Sequence, residues 1–502
     1  MKPVCVVSCP IDTFSGYGHR SRDFVRSLIE AKDEEWDIKI LPQIWGNTPW
    51  GFLDKEDPLR ARFAQGQMSS KPDIWIQITI PNEFQPIGQF NIGVTAGIES
   101  TCPPPDFIEG MNRMDLNLVS SEFTKNTFQN IQLTQNNQQG QPVKTFKLEK
   151  PIEVLFEGLD TGVYFKEPGK SGLLDNIDEN FCFLFTGHWL PGNFGEDRKN
   201  VATMIKTFLE TFKGRGLKPA LLLKTNKVDY SLLDKEDILK DIRKIRDSFD
   251  NKDNLPNIYI LHGEFTNEEL NKLNNDSKIK SFISFTKGEG FGRPLLEQAI
   301  TGKPVITTNW SGHVDFIRPE YNVLLGGELK NIHESAANKW LLKEAQWFNV
   351  DTEVASKAMK DVYKHYKKYI ENSRKQTKWL KENFSQDKMT EVLKNHMDNV
   401  KVVVNTPLQL PKLKKISDNS SLELPKLKLP KLVFPEWNKR LQDWYWAAVN
   451  AVPVTEEEKE KYPDPANPGE FYKFRMDMKN IKRFDKLEFM DAVELIGLFD
   501  AE

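Results

Sequence analysis

Two glutamates, Glu289 and Glu297, stand eight residues apart in the stretch GEGFGRPLLEQA at residues 288–299. The apolar run at 282–285 before them is typical of a buried strand, and Pro294 suits the first turn of a helix. A strand, a glycine loop and a helix in this order place free backbone N–H groups where they can bind phosphate. Two carboxylates would repel such an anion unless they contact hydroxyl groups. The pattern therefore predicts a ligand that carries both phosphate and sugar hydroxyls. The alternative is an ordinary strand-to-helix turn with two solvated acids.

A basic group of complementary charge lies earlier in the chain. Arg198 and Lys199 occur where a loop meets a predicted helix at 201–212, and His188 lies in the same loop, after a predicted strand at 181–185. Arginine offers a planar fork of donors and lysine a point charge, which together suit a diphosphate. The alternative is a solvated basic helix cap. Another lysine, Lys224, ends a further predicted strand.

Two further loops are candidates for ligand contact. The first predicted strand, at 3–9, is followed by Gly16 and Gly18 and then by a helix, an arrangement that brings backbone close to a ligand. It matches a dinucleotide fingerprint weakly, because the third glycine is absent and the loop is long. Glu99 precedes a triple proline that ends regular structure, and it could equally be a solvated acid.

Predicted strands alternate with predicted helices, which indicates parallel sheets covered on both faces. A length of 502 residues suggests about three domains. We also expect Lys-rich helices over 333–383 and a last helix that begins at 384–387 and ends near Asn399. The remaining predicted strands are 36–41, 74–78, 92–95, 116–119, 154–156, 221–224, 258–261, 304–307 and 323–325.

The motif E-G-F-G-x-P-x-x-E-x-x-A, with GKPVITTNWSG after it at 302–312, resembles the signature of retaining glycosyltransferases of the GT-B type, similar to glycosyltransferase family 4. That family includes bacterial mannosyl- and glucosyltransferases and glycogen synthases. The resemblance implies an α/β fold of two Rossmann-like domains that face a cleft. It implies an acceptor-side domain at 1–165 and a nucleotide-sugar-binding domain at 166–399. The last helix of the second domain is expected to cross back to the first.

The resemblance also implies roles for the candidate residues. Glu289 would contact sugar hydroxyls near the reacting carbon, and Glu297 would hold the ribose. Lys199 and Arg198 would neutralise the leaving pyrophosphate, with His188 at a position where the family has an arginine. The loop around Glu99 often carries a histidine in the family, but none occurs here. The donor-binding set would be Gly16, Gly18, His188, Phe291, Gly292, Arg293 and Glu297, and Glu99 and Lys224 would contact the acceptor or the sugar.

The reaction implied is sugar transfer from a nucleotide-diphosphate donor, UDP- or GDP-linked, with no metal and no other cofactor. Substitution of Glu289 or Lys199 is expected to abolish transfer with little change in the thermal midpoint. Segments such as LPQIWGNTPWGF resemble a subgroup from large tailed phages and other viruses. The acceptor is then a hydroxymethylated base in DNA, a protein or a glycan. The alternatives are another sugar-nucleotide enzyme of this fold, an epimerase or a phosphorylase, and a non-catalytic binding scaffold.

Composition limits the other classes of protein to which this chain could belong. Hydrophobic residues at 39% and charged residues at 28% are typical of a globular protein, and a net charge of -3 argues mildly against tight DNA binding. Four scattered cysteines, no signal peptide and no membrane-spanning run lead us to expect a cytoplasmic protein, in the host cytoplasm if viral. Repeated Leu-Pro-Lys-Leu indicates a linker or strap at 400–435, and an aromatic-rich appended unit is expected at 436–502.

Overall fold

The computed structural model describes residues 2–46, 48–64, 71–167, 169–214, 216 and 218–402. The predicted linker at 400–435 lies outside the described residues from position 403 onward. The predicted appended unit at 436–502 lies wholly outside them.

The first sheet has six parallel strands, in the order β2-β1-β3-β4-β5-β8. A polar, mostly exposed hairpin, β6–β7, is inserted before its last strand. The strands are β1 (Val4–Cys9), β2 (Asp37–Pro42), β3 (Ile74–Ile78), β4 (Phe90–Thr95), β5 (Leu116–Val119), β6 (Gln132–Asn136), β7 (Pro142–Lys147) and β8 (Ile152–Val154). The helices are α1 (Gly16–Lys32), α2 (Pro105–Asn112) and α3 (Glu122–Asn130), with 3-10 turns at Pro58–Arg62 and Pro81–Glu83. We call this sheet and its helices the N-terminal lobe.

The second sheet also has six parallel strands, in the order β11-β10-β9-β12-β13-β14. Its strands are β9 (Cys182–Thr186), β10 (Ala220–Lys224), β11 (Ile258–Leu261), β12 (Ile279–Ser284), β13 (Val305–Thr308) and β14 (Val323–Leu325). The helices among them are α4 (Val201–Phe212), α5 (Leu232–Asp247), α6 (Asn267–Asn275) and α7 (Arg293–Ala299), with 3-10 turns at Lys252–Asn254 and Gly312–Asp315. We call this sheet and its helices the C-terminal lobe.

The chain continues through an antiparallel hairpin and three helices. These are β15 (Gly327–Asn331), β16 (Gln346–Val350), α8 (Thr352–Lys364), α9 (Tyr366–Asn383) and α10 (Gln386–Asp398). The last helix packs on α1, and its Met389, Leu393 and Met397 are buried in the core of the N-terminal lobe. The final helix thus follows the C-terminal lobe in the chain and packs in the core of the N-terminal lobe.

Each sheet is covered on both faces. In β9, Phe183 and Phe185 enter one apolar core while Cys182 and Leu184 enter another, because successive side chains of a strand point to opposite faces. Strands buried on both sides are near-continuous apolar runs, which explains why the sequence predicts them well. The predicted α/β class with two parallel sheets is confirmed.

The prediction of helices across 333–383 is wrong for its first third. The strand β16 occupies QWFNV at 346–350, where Trp347 is fully buried, and α8 begins only after Asp351. Aromatic and β-branched residues favour a pleated surface over a helix, and Asp351 accepts hydrogen bonds from the amides of Glu353 and Val354 as an N-cap. The strand predicted at 154–156 ends at Val154.

Candidate active site

Three candidate residues of the C-terminal lobe, Arg198, Lys199 and Glu289, meet where the strand order of its sheet reverses. There β9 and β12 are neighbours although α4, β10, α5, β11 and α6 separate them along the chain, and sheets of this kind bind ligands outside the carboxyl ends of the strands at such a position, which we call the crevice between β9 and β12. The loop after β9 carries Arg198 and Lys199, and the loop after β12 carries Glu289. The Lys287 N–H donates to the Arg198 carbonyl at 2.7 Å and ties the two loops together.

Glu289 lies between two cations. Its side chain accepts hydrogen bonds from Lys199 Nζ at 2.5 Å and from Arg198 at 3.2 Å, and the residue is 7% exposed. Burial acts to raise the pKa of Glu289, but the charges of Lys199 and Arg198 outweigh it and lower the pKa to about 2. Glu289 is therefore ionised throughout the physiological range.

Arg198 also reaches the N-terminal lobe. Its guanidinium donates to the Gly288 carbonyl at 2.7 Å and lies 3.6 Å from the carboxylate of Glu99, in the loop after β4. Burial acts to lower the pKa of Arg198, and the carboxylates of Glu99 and Glu289 raise it overall. The pKa of Lys199 is lowered, because burial outweighs the stabilising charge of Glu289.

His188 and Lys224 extend the basic wall. His188 is exposed beside the loop, yet partial desolvation and the charges of Lys199, Lys224 and Arg198 lower its pKa to about 4. Lys224 is buried at the end of β10, where its ammonium donates to the Tyr230 hydroxyl at 3.3 Å. The charges of Lys199, Lys224 and Arg198 all act on His188, so these three cations lie around it, an arrangement that suits an anion, whereas His188 itself is neutral at pH 7.

At the start of α7, the backbone of Phe291 and not its side chain is placed for contact with a ligand. Gly292 is its N-cap with a φ of 97°, a conformation that favours glycine. The Phe291 side chain packs against Phe316 and Phe384 in the core, so any ligand contact from Phe291 is through its backbone.

Arg293 and Glu297 belong to a second ionic cluster. Arg293 donates to Glu297 at 2.9 Å and to Asp23 of α1 at 2.6 Å, and it lies 3.8 Å from Glu157. Burial acts to lower the pKa of Arg293, but these carboxylates raise it. Burial raises the pKa of Glu297, and Arg293 opposes that rise. The Arg293 side chain is therefore placed in a contact between the lobes.

The two glycines after β1 have different surroundings. A Cβ on Gly18 would lie 2.3 Å from the Thr13 carbonyl, and its N–H donates to the Ser15 hydroxyl at 2.9 Å, so glycine is needed for this turn. Gly16 faces open space. Between them, Tyr17 bonds the Thr95 hydroxyl at 2.9 Å, next to the loop that carries Glu99.

The glycine loop itself is pressed against the N-terminal lobe. A Cβ on Gly288 would lie 2.0 Å from the Glu99 carbonyl, and one on Gly290 would lie 2.1 Å from the Ala96 carbonyl. The Ser121 hydroxyl donates to the Gly290 carbonyl at 2.6 Å. From the sequence, this glycine loop was predicted to bring backbone N–H groups close to a phosphate. The contact that it makes between the lobes was missed.

Sequence reasoning also missed Ser311. Its hydroxyl accepts the Glu289 N–H at 2.9 Å, and its backbone has a φ of 77°, unusual for a residue with a side chain. The run NWSG after β13 was the available signal. Ser311 therefore fixes the backbone of the residue at the centre of the site.

Among the described residues, no three or more His, Cys, Asp or Glu side chains are grouped so that they could hold a metal ion. Within the same part of the chain, no helix has the length and apolar character needed to cross a membrane.

Comparison with known proteins identifies the fold. No protein-family model and no curated protein matches the chain. Sucrose-phosphate synthase from Thermosynechococcus elongatus matches with a TM-score of 0.50 and 12% identity over 79% of this chain and 98% of the other. A glycosyltransferase from Rickettsia africae matches with a TM-score of 0.50 and 14% identity over 80% of this chain and 100% of the other. The N-terminal domain of Candida albicans trehalose-6-phosphate phosphatase matches with a TM-score of 0.50 and 12% identity over 79% of this chain and 96% of the other. The chain has the GT-B fold, as the sequence motif implied.

Proposed function

We propose that this protein is a retaining glycosyltransferase that moves a sugar from a nucleoside-diphosphate donor to a hydroxyl acceptor. The observation that carries the proposal is the ionised carboxylate of Glu289, held between Lys199 and Arg198 at the crevice between β9 and β12. Opposite charges placed in advance at a strand-end opening are what a reaction with a charged leaving group requires.

The basic wall binds the donor diphosphate. Lys199, Arg198 and Lys224 are largely desolvated already, so their attraction for a phosphate group is stronger than in bulk water. The donor is a UDP- or GDP-sugar, and no metal is required, because these cations supply the counter-charge.

The two glutamates grip the sugar and the ribose. With a pKa of about 2, Glu289 has no proton to give, so it accepts hydrogen bonds from sugar hydroxyls instead of acting as a general acid. Glu297, oriented by its hydrogen bond from Arg293, accepts from the ribose hydroxyls. Both contacts fix the anomeric carbon in front of the acceptor.

The bond changes then need no covalent enzyme intermediate. The bond from the anomeric carbon to the donor phosphate oxygen breaks, and its electron pair stays on that oxygen. The acceptor oxygen bonds to the carbon from the same face, and its proton passes to the departing phosphate oxygen. Entry and departure on one face give retention. The acceptor is a hydroxymethylated DNA base, a protein or a glycan.

The test is release of nucleotide and transfer of sugar from UDP-, GDP-, dTDP- and ADP-glucose in a metal-free buffer. Glu289→Gln and Lys199→Met should each lower the rate by at least about a hundredfold, the usual scale for loss of one electrostatic contact to the transition state. Glu320→Gln removes an exposed carboxylate of the same lobe and is the control. Equal rates in all four proteins would refute the proposed roles.

A further inference from the structure

A pocket of 470 Å³ opens in the C-terminal lobe. The loop after β9 supplies Trp189, Asn193 and Phe194, α4 supplies Lys206, α5 supplies Asp241 and Lys244, and Ser248 directly follows α5. Its lining among the described residues includes none of the candidate cleft residues. The donor site does not account for it.

The aromatic walls are the first clue to a ligand. Trp189 is 7% exposed and packs in the apolar core, and its backbone N–H donates to the Asn226 carbonyl at 2.8 Å, so Trp189 forms the floor of the pocket. Phe194 stands at the rim with 57% of its surface exposed. An aromatic ring presents a negative face, which attracts the partly positive C–H groups of a flat, weakly polar ligand.

The polar groups are the second clue. Lys206 and the Asn193 amide donate hydrogen bonds, whereas Asp241 and the Ser248 oxygen accept them. The charge of Asp241 is already neutralised by Lys227 at 2.6 Å and Lys244 at 2.9 Å. Its carboxylate oxygens still have lone pairs that can accept hydrogen bonds from a ligand. A lining that has both donors and acceptors suits a ligand with hydroxyl groups, because each hydroxyl can donate and accept a hydrogen bond.

The charges of the lining are mostly paired with one another. Asp241 contacts Lys244 and the neighbouring Lys227, and among the described residues the lining has no arginine, the side chain whose planar fork holds a phosphate in two contacts. The volume lies in the lower part of the roughly 300–1,000 Å³ range of small-molecule pockets, and is enough for one or two sugar rings.

We propose that this pocket is a carbohydrate-binding site, separate from the donor crevice, that takes a neutral pyranose. One ring face lies on Phe194 above the buried Trp189, and the ring hydroxyls exchange hydrogen bonds with Lys206, Asn193 and Asp241. The loop that carries Phe194 continues along the chain to Arg198 and Lys199.

The test is saturation-transfer difference NMR on the full chain with the methyl glycosides of glucose, galactose, mannose and N-acetylglucosamine. At least one should give signals, strongest from ring C–H protons. Phe194→Ala should weaken its binding at least about tenfold, the equivalent of the stacking energy lost. Phe14→Ala, which removes a ring of similar exposure from the N-terminal lobe, should leave the binding unchanged.

Three outcomes would overturn the proposal. They are no signal from any of the four glycosides, signals that Phe194→Ala leaves intact, and signals that UDP or GDP abolishes by competition. The last two would place the sugar elsewhere, including the donor crevice. Because glycoside binding is measured without turnover, these outcomes are independent of whether the protein transfers sugar.

Discussion

At the scale of single residues, the state of Glu289 defines what the site can do. A carboxylate as buried as this one would normally be neutral, and it remains charged because two cations contact it. In the proposed function, the donor phosphate shares Lys199 and Arg198 with Glu289. The three side chains therefore form one electrostatic unit, and removal of any member changes the others.

This unit changes one expectation drawn from the sequence. Loss of Glu289 was expected to leave the thermal midpoint almost unchanged, but it would leave Lys199 without its partner carboxylate and Arg198 with Glu99 alone. Glu289→Gln should lower the free energy of unfolding by about 3 kcal/mol, since breaking a buried pair costs several times more than breaking an exposed one. Urea unfolding measures this loss. The control is Glu320→Gln, which breaks an exposed ion pair with Arg318 and should lower the free energy of unfolding by less than about 1 kcal/mol. Equal costs would contradict the pairing.

The pH dependence of stability should reveal the same carboxylate. Its pKa is about 2 in the folded protein against an ordinary 4.5, so the folded state favours the charged form. The stabilisation is complete above pH 4.5 and is lost as the pH falls toward 2. The difference in unfolding free energy between wild type and Glu289→Gln should therefore shrink over this window. A constant difference would show that Glu289 is not held by cations.

The unfolding free energy of Glu289→Gln must be subtracted from that of wild type, because other groups change stability with pH in the opposite direction. Asp315 accepts the Glu122 N–H at 2.8 Å across the lobes, and burial raises its pKa to about 6. Its folded pKa is raised, so its contribution is present at low pH and is lost as the pH rises from 3.8 to about 6. The wild-type profile alone would mix the two effects.

The sequence predicted some of these residues and not others, for a physical reason. Glu289, Arg198 and Lys199 were predicted because each lies in a short local pattern at a strand end, and strand ends of one parallel sheet share an edge. The partnership of Arg293 with Asp23 joins positions 270 residues apart. No local pattern encodes such a contact, because it depends on how the two lobes are placed against each other.

At the scale of elements, the glycine loop at 288–292 packs closely against the N-terminal lobe. Gly290→Ala would place a methyl group 2.1 Å from the Ala96 carbonyl, so the loop or the facing segment must move. We expect the thermal midpoint to fall and sugar transfer to drop at least about tenfold, because a small displacement at a reacting site is costly.

The matched control is Gly326→Ala. A Cβ on Gly326 meets no atom within 4 Å, and its φ is not in the left-handed region, so neither stability nor transfer should fall. Equal behaviour of the two variants in scanning calorimetry and in the transfer assay would show that contact at Gly290 is not needed.

Elements with strong periodic patterns were predicted well. The helix α4 was predicted at 201–212 and occupies those residues, since its apolar face is continuous and Lys213 and Gly214 follow it. The hairpin β15–β16 was missed because its first strand is polar and exposed, and only the second carries an apolar signal. Pairing with a distant strand, not local sequence, decides its structure.

At the scale of the whole molecule, α10 joins the end of the C-terminal lobe to the core of the N-terminal lobe. Leu393 is fully buried there, so Leu393→Ala should lower the free energy of unfolding by about 2–5 kcal/mol. Val354→Ala, at a position of α8 that is 38% exposed, should change it by about 0.5 kcal/mol or less. Urea unfolding followed by tryptophan fluorescence measures both, and equal effects would contradict the docking of α10.

A thermal-shift panel tests whether the cleft binds a nucleotide sugar, as proposed. Wild type, Glu297→Gln and Glu320→Gln are each heated in metal-free buffer with UDP-, GDP-, dTDP- and ADP-glucose, and each shift is taken relative to the same protein without ligand. We expect the thermal midpoint to rise with one nucleotide class, a stabilisation of about 2.7 kcal/mol at a ligand concentration a hundred times Kd, and we expect Glu320→Gln to keep this rise and Glu297→Gln to lose it. No rise with any donor, or a rise that Glu297→Gln retains in full, would contradict it.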